Sequence, residues 1–201
     1  MGEAYLTVAE RAQADFEVKG SEFIGHVAPA DSVEAAEAFV SEVREAHADA
    51  THNVPAYRVP TGDGDMLREW SSDDGEPTGS AGNPALNVLV QRDLRNVVAV
   101  VTRYYGGVNL GVGGLARAYA RGVSDAVTAA GVVEEQPHER FVATVDYDDS
   151  GTVRGILESA GVEFDATYET RASFEVRVPV EDGPGLRDRL RSATGGRVEL
   201  S

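Results

Sequence analysis

The chain has 201 residues, 42% of them hydrophobic and 26% charged, as in a globular protein long enough for one large or two small domains. Acids outnumber bases 34 to 18, and the formal net charge of −16 would repel nucleic acid and anionic membranes if it were spread evenly. The absence of cysteine excludes disulfides, thiol catalysis and cysteine-ligated zinc, and no run approaches the roughly 18 apolar residues of a membrane span.

The acid excess is scattered rather than collected in a tail, and Lys19 is the sole lysine, every other basic residue being arginine. This composition reads as adaptation to a salt-rich cytoplasm, with an acidic interaction surface as the alternative. The N-terminal MGEAYLTVAERAQ has acids where a signal peptide would have a basic and then an apolar segment, so a soluble cytoplasmic protein is expected.

In chain order, ADFEV (14–18) alternates, turns at Lys19-Gly20 and continues as SEFIGHV, which predicts a hairpin. Asp31 and Ser32 are capping residues ahead of Val33, Ala36, Val40 and Val43, whose spacing predicts a helix. Two strands are expected around 56–59 and 66–70, separated by the turn cluster TGDGD.

There follows DDGEPTGSAGNP (73–84), a loop dense in acids, glycines and prolines. Asn83 and Pro84 suit the N-cap and first position of a short helix carrying Leu86, Leu89 and Val90. VVAVVT (97–102) is the β-branched run of a strand buried on both faces. A helix is expected from about Leu115 to Ala130, stopped by Gly131.

The polar, proline-containing EEQPHER (134–140) marks a linker between a domain over 1–133 and a second over 141–201. In the second, strand and helix patterns follow in the order βαββαβ, the order of a ferredoxin-like sandwich. The fold class is therefore α+β in two domains.

Two stretches carry the chemistry. RYYGGVNLGVGGLARAYARG (103–122) places glycines between a buried strand and a long helix, so that backbone amides and the helix N-terminus could cradle an anion. It matches neither the phosphate-loop nor the dinucleotide fingerprint. From Leu94 to Ser124 there is no Asp or Glu, where an even spread of the 34 acids would put about five. Arg95, Arg103, Arg117 and Arg121 remain, with Tyr104, Tyr105 and Tyr119 available to stack on bases. The bland alternative is that a buried strand and a packed loop simply exclude acids.

The opening loop has the opposite sign. Asp73, Asp74 and Glu76 would cap helix amides, hold an arginine or, in a third reading, bind Mg²⁺ through waters. The G-x-S-x-G and HExxH motifs are absent. His47 and His52 flank Asp49 in what reads as a helix end and turn, and His52 could serve as a general base beside the loop.

VKGSEFIGH (18–26), Ala50-Thr51-His52, SSDDGEPTGSAGNP (71–84) and VVTRYYGGVNLGVGGLARAY (100–119) together resemble the YigZ/IMPACT family along nearly the whole chain. The resemblance implies an N-terminal domain like domain 2 of ribosomal protein S5 and a C-terminal domain similar to the last domain of elongation factor G. Eukaryotic members look like regulators of translation that compete for the activator of a starvation-responsive initiation-factor kinase. Prokaryotic members are suspected of binding RNA or ribosomes.

The resemblance carries over, as binding residues, Asp73, Asp74, Gly75, Glu76, Pro77, Gly79 and Gly82 from the first signature. From the second it carries Arg103, Tyr104, Gly106, Gly107, Leu110, Gly111, Gly113, Gly114, Arg117 and Tyr119. Asn109 stands where relatives commonly have lysine, and Tyr105 where phenylalanine is usual. The expectation is a non-enzymatic regulator of translation binding RNA, a ribosome or a protein partner, without cofactor, metal or membrane and with no oligomeric state implied. The alternative is an enzyme acting on a nucleotide or other phosphorylated small molecule, or a weak hydrolase or peptidase. In the favoured arrangement Asp73, Asp74 or Glu76 pairs with Arg103 or Arg117, so that the acidic loop braces the glycine-rich one.

Overall fold

The computed structural model describes residues 4–61 and 66–201, and the chain divides into two units, Tyr5–Glu135 and Gln136–Ser201. The first runs β1 (Tyr5–Val8), β2 (Ala12–Val18), β3 (Ser21–Pro29), α1 (Val33–Ala46), β4 (His52–Pro60), β5 (Leu67–Ser71), α2 (Gly82–Gln91), β6 (Val97–Tyr104), α3 (Val112–Ala130) and β7 (Val132–Glu135). The turn expected at TGDGD lies, beyond Thr61, outside the described residues.

β6 is buried along nearly its whole length because it is the centre of a sheet ordered β2-β3-β6-β4-β5, covered on both faces. Val97, Ala99 and Val101 join one core with Ala85 and Leu89 of α2 and Leu115, Tyr119 and Val123 of α3. Val98 and Val100 join the other with Phe39, Val40 and Val43 of α1. α1 begins where Ser32 Oγ accepts from the Ala35 amide at 3.2 Å. α3 lies unusually close to the sheet, since a Cβ on Gly25 of β3 would come within 2.0 Å of the Gly122 carbonyl oxygen.

The second unit is β8 (His138–Val145), α4 (Tyr147–Ala160), β9 (Glu163–Tyr168), β10 (Ala172–Pro179), α5 (Gly183–Ala193) and β11 (Glu199–Leu200). Its sheet, ordered β11-β8-β10-β9, is that of a ferredoxin-like fold. Phe141, Phe174, Val176, Leu157, Leu186 and Leu190 form the core on its helix-covered face. The α+β class in two domains is as read from the sequence.

The linker is shorter than expected. Val132–Glu135 pairs with Tyr5–Val8 and His138–Arg140 already pairs with β10, so Gln136 and Pro137 alone separate the strands. The polar composition that suggested a linker belongs instead to the exposed strand β7 and the start of β8. Two helix starts also differ. α3 begins at Val112 rather than Leu115, and α2 at Gly82, with Ala81 at the N-cap position expected for Asn83.

On the α1 side, the Thr102 hydroxyl donates to Asn53 Oδ1 at 2.7 Å and so accepts from His26 Nε2, 3.3 Å away. The His26 ring lies 5.1 Å from that of His47. Burial, then the proximity of His47 and of Arg11, pushes the His26 pKa down to about 4. The neutral form is thus the native one, and stability is fully present above the ordinary histidine pKa. It falls as pH drops from about 6.5 to 4, by roughly 1.4 kcal/mol per pH unit from this residue. Urea unfolding between pH 7 and 5 should show this slope in the wild type and a correspondingly flatter profile in His26→Gln.

Candidate functional site

The acidic loop between β5 and α2 points its carboxylates inward. Asp73 Oδ1 accepts from the amides of Ala81 (3.0 Å) and Gly82 (2.8 Å), and Oδ2 from that of Gly79 (2.8 Å). Desolvation alone would raise the Asp73 pKa, but the amides of Gly79, Gly82 and Ala81 outweigh it and hold the carboxyl below its ordinary range. Asp73 is therefore the missing cap of α2, supplied from nine residues upstream. Asp74, in the left-handed region at φ 47, accepts from the Asn53 amide at 2.7 Å and from Arg44 at 3.0 Å. Its carbonyl oxygen receives His52 Nδ1–H at 2.7 Å.

Glu76 turns furthest in. Its Oε1 accepts from Arg103 Nη1 at 2.6 Å and from the Tyr119 hydroxyl at 2.7 Å, and His52 Nε2 lies 3.8 Å from the same atom. Glu76 is 9% exposed, Arg103 5% and Tyr119 0%. Burial, then donation to Glu76, keeps the Tyr119 phenol protonated far above its ordinary range. The backbone register explains the meeting, since Arg103 of β6 faces His52 on one side and Phe23 on the other.

This buried unit holds the glycine-rich loop. Ser21 Oγ lies 3.4 Å from Arg103 Nη2 and accepts from the Gly106 amide at 3.1 Å. The guanidinium also lies over the Phe23 and Tyr105 rings, 5.5 and 5.3 Å from their centroids. Thr51 Oγ1 accepts from the Tyr105 amide at 3.0 Å. Gly106 is required by close approach, because a Cβ there would sit 1.9 Å from the Gly20 backbone.

Outward, the same loop is open. Tyr105, Gly107, Val108, Asn109, Gly111 and Val112 are exposed, as are Gly113 and Arg117 in the first turns of α3. Gly111 begins the helix without a side-chain cap, and no acid lies in its first turn. Leu110 and Gly114 are half-buried and pack against each other.

The expected pairing is met by Glu76 with Arg103. Asp74 goes to Arg44 instead, and Asp73 to backbone amides. Arg117 enters no ion pair among the described residues. Three expectations are corrected by burial: Tyr119 cannot stack on a ligand base, and Glu76 and Arg103 support the surface from beneath rather than contact a ligand on it. Tyr104 is likewise engaged, its hydroxyl 2.9 Å from His47 Nδ1 and donating to Asp49. Gly82 is buried against Ser72, while Gly75, Pro77 and Gly79 lie on the acidic loop's exposed side.

Residues that the spacing left unassigned include Ser21, Arg44, Thr51 and Asn53. Thr51 and His52 did stand out within the Ala50-Thr51-His52 triplet. No group of three or more His, Asp or Glu among the described residues is placed to hold a metal ion. A groove of about 520 Å³ lies elsewhere, on the open face of the β8-β10-β9 sheet, where Glu163, Asp165 and Glu175 surround Arg140 and Arg177.

Comparisons with known proteins agree with the sequence signatures. A family model described as the Impact N-terminal domain matches residues 19–127, and one described as a domain of unknown function (DUF1949) matches 144–197. The IMPACT family member YvyE of Bacillus subtilis is 34% identical over 198 residues, covering 98% of this chain and 90% of that protein. The IMPACT family member YigZ of Escherichia coli is 33% identical, covering 98% and 97%. A solved structure described as a hypothetical protein covers 100% of this chain and 97% of its own, at 32% identity and a TM-score of 0.76.

Glu76→Gln keeps the shape but leaves the Arg103 charge buried without its counter-ion, and should cost about 3–5 kcal/mol in urea unfolding. Tyr119→Phe removes one hydrogen bond to the same carboxylate and should cost about 1–2 kcal/mol.

Proposed function

We propose a function from one established premise: this chain belongs to the IMPACT family. Our reading is a non-enzymatic, cytoplasmic regulator of translation that binds RNA, free or on the ribosome, through the exposed side of the glycine-rich loop. The observation that carries it is the contrast of charge. In a chain of net −16, the 31 residues from Leu94 to Ser124 hold no acid, and the exposed part of that stretch offers Tyr105, backbone amides at an uncapped helix start, and Arg117.

Family resemblance supports the translational setting, since eukaryotic members look like regulators of translation. The second unit supports it as well, by the resemblance to the last domain of elongation factor G that the sequence signatures imply. The scattered acids and near-absence of lysine support a salt-rich cell interior. There the Debye length falls to about 3 Å at 1 M, so stacking on Tyr105 and hydrogen bonds from the loop would carry more of the affinity than charge. The amides would also suit the phosphates of a nucleotide, which makes a nucleotide-binding enzyme the second reading.

Fluorescence anisotropy with a mixed-sequence single-stranded RNA should detect binding that weakens with salt. Arg117→Ala should lower the log–log salt slope by about one, and Tyr105→Ala should cost about 1–3 kcal/mol. Binding untouched by both substitutions would contradict the reading. Saturable binding of a nucleoside triphosphate without RNA binding would favour the second.

A further inference from the structure

We propose that Lys19 belongs to the RNA-binding face and contacts a phosphate of the bound strand. This rests on the reading of the glycine-rich loop given above and extends the surface to a turn on a different part of the chain.

Lys19 and Gly20 form the turn between β2 and β3, both with positive φ, at 50° and 80°. That turn lies against the glycine-rich loop. The Cβ that Gly106 lacks would fall 1.9 Å from the carbonyl carbon and oxygen of Gly20. The next residue, Ser21, is fully buried and accepts from the Gly106 amide at 3.1 Å. Lys19 is thus tied through two adjoining residues to the backbone of the loop that presents Tyr105.

The packing of α3 sets the turn at the same end as the helix start. Gly25 touches Gly122, and Phe23 meets Tyr119 edge to face at 5.5 Å. Following β3 back from Gly25 to Ser21, next to the turn, at about 3.3 Å per residue covers about 13 Å. Following α3 back from Gly122 to Val112 at 1.5 Å per residue covers about 15 Å. Both paths run toward the glycine-rich loop.

No nearby carboxylate forms an ion pair with the amine among the described residues. Glu17 and Glu22 pair across the hairpin and project to the α1 side. Phe16 and Phe23, which precede and follow them, project into the core beneath α3. Lys19 is exposed and enters no ion pair among the described residues. A flexible ammonium suits a phosphate as a point charge, whereas the chain uses arginine at every other basic position.

The single lysine makes the test specific. Trace acetylation of the folded full-length chain, read by mass spectrometry, labels one ε-amine, with the terminal amine as internal reference. Saturating mixed-sequence RNA should slow Lys19 acetylation about fivefold or more relative to the terminus, as for an amine engaged with phosphate. Lys19→Asn, which tolerates the left-handed backbone, should lower the salt slope of RNA binding by about one, while Lys19→Arg should retain it. Unprotected Lys19 with normal RNA affinity in Lys19→Asn, but lost affinity in Arg117→Ala, would overturn this assignment and leave the loop face standing. Protection by a nucleoside triphosphate but not by RNA, or no RNA binding by the wild type, would overturn both.

Discussion

A buried carboxylate oxygen that serves two donors organises the N-terminal unit. Glu76 Oε1 takes one hydrogen from Arg103 and one from Tyr119, and these residues come from the acidic loop, β6 and α3. Burying the ions is unfavourable unless geometry and secondary hydrogen bonds compensate, so the three elements are held in one mutual arrangement. Arg103 then passes the constraint outward, over the Tyr105 ring and next to the Ser21 hydroxyl that binds Gly106. The acids of one signature are engaged by Arg103, Arg44 and backbone amides, and the other signature carries no acid of its own.

Close backbone approaches complete the arrangement. Gly106 meets Gly20 and Gly25 meets Gly122 with no room for a β-carbon, so the hairpin, the glycine-rich loop and α3 stack with little slack. Asp73 satisfies the amides of Ala81 and Gly82 at the start of α2 and that of Gly79 in the loop, which lets the acidic loop end without a local capping residue. The result is a rigid base beneath a loop whose outer amides and tyrosine remain accessible. Beneath the loop Glu76, Arg103 and Tyr119 are committed to one another, while Arg117 at its edge is exposed and enters no ion pair among the described residues.

How far the sequence could be read depended on the range of each interaction. Ser32 was legible as a cap because its partner, Ala35, is three residues away. The cap of α2 was not, since Asp73 reaches Gly82 across nine residues and Asn83 offered a nearer candidate. The β1–β7 ribbon joins Tyr5 to Glu135, and nothing in either four-residue segment announces the other. Acid and arginine were correctly expected to pair, yet charge alone did not separate Arg103 from Arg117; register did, by putting Arg103 in the core. Tyr119 read as a stacking ring because it lies in the acid-free, arginine-bearing stretch, whereas the helix periodicity of Leu115, Tyr119 and Val123 put it on the buried face.

The most direct test of the account is a hydrogen-exchange footprint of RNA on the full-length chain. Slowed exchange at the amides of residues 105–114, with the open sheet face around Glu163 and Glu175 unchanged, is the result predicted for a loop surface supported by Glu76 and Arg103. Protection confined to that sheet face, or no protection at RNA concentrations that saturate binding, would contradict it.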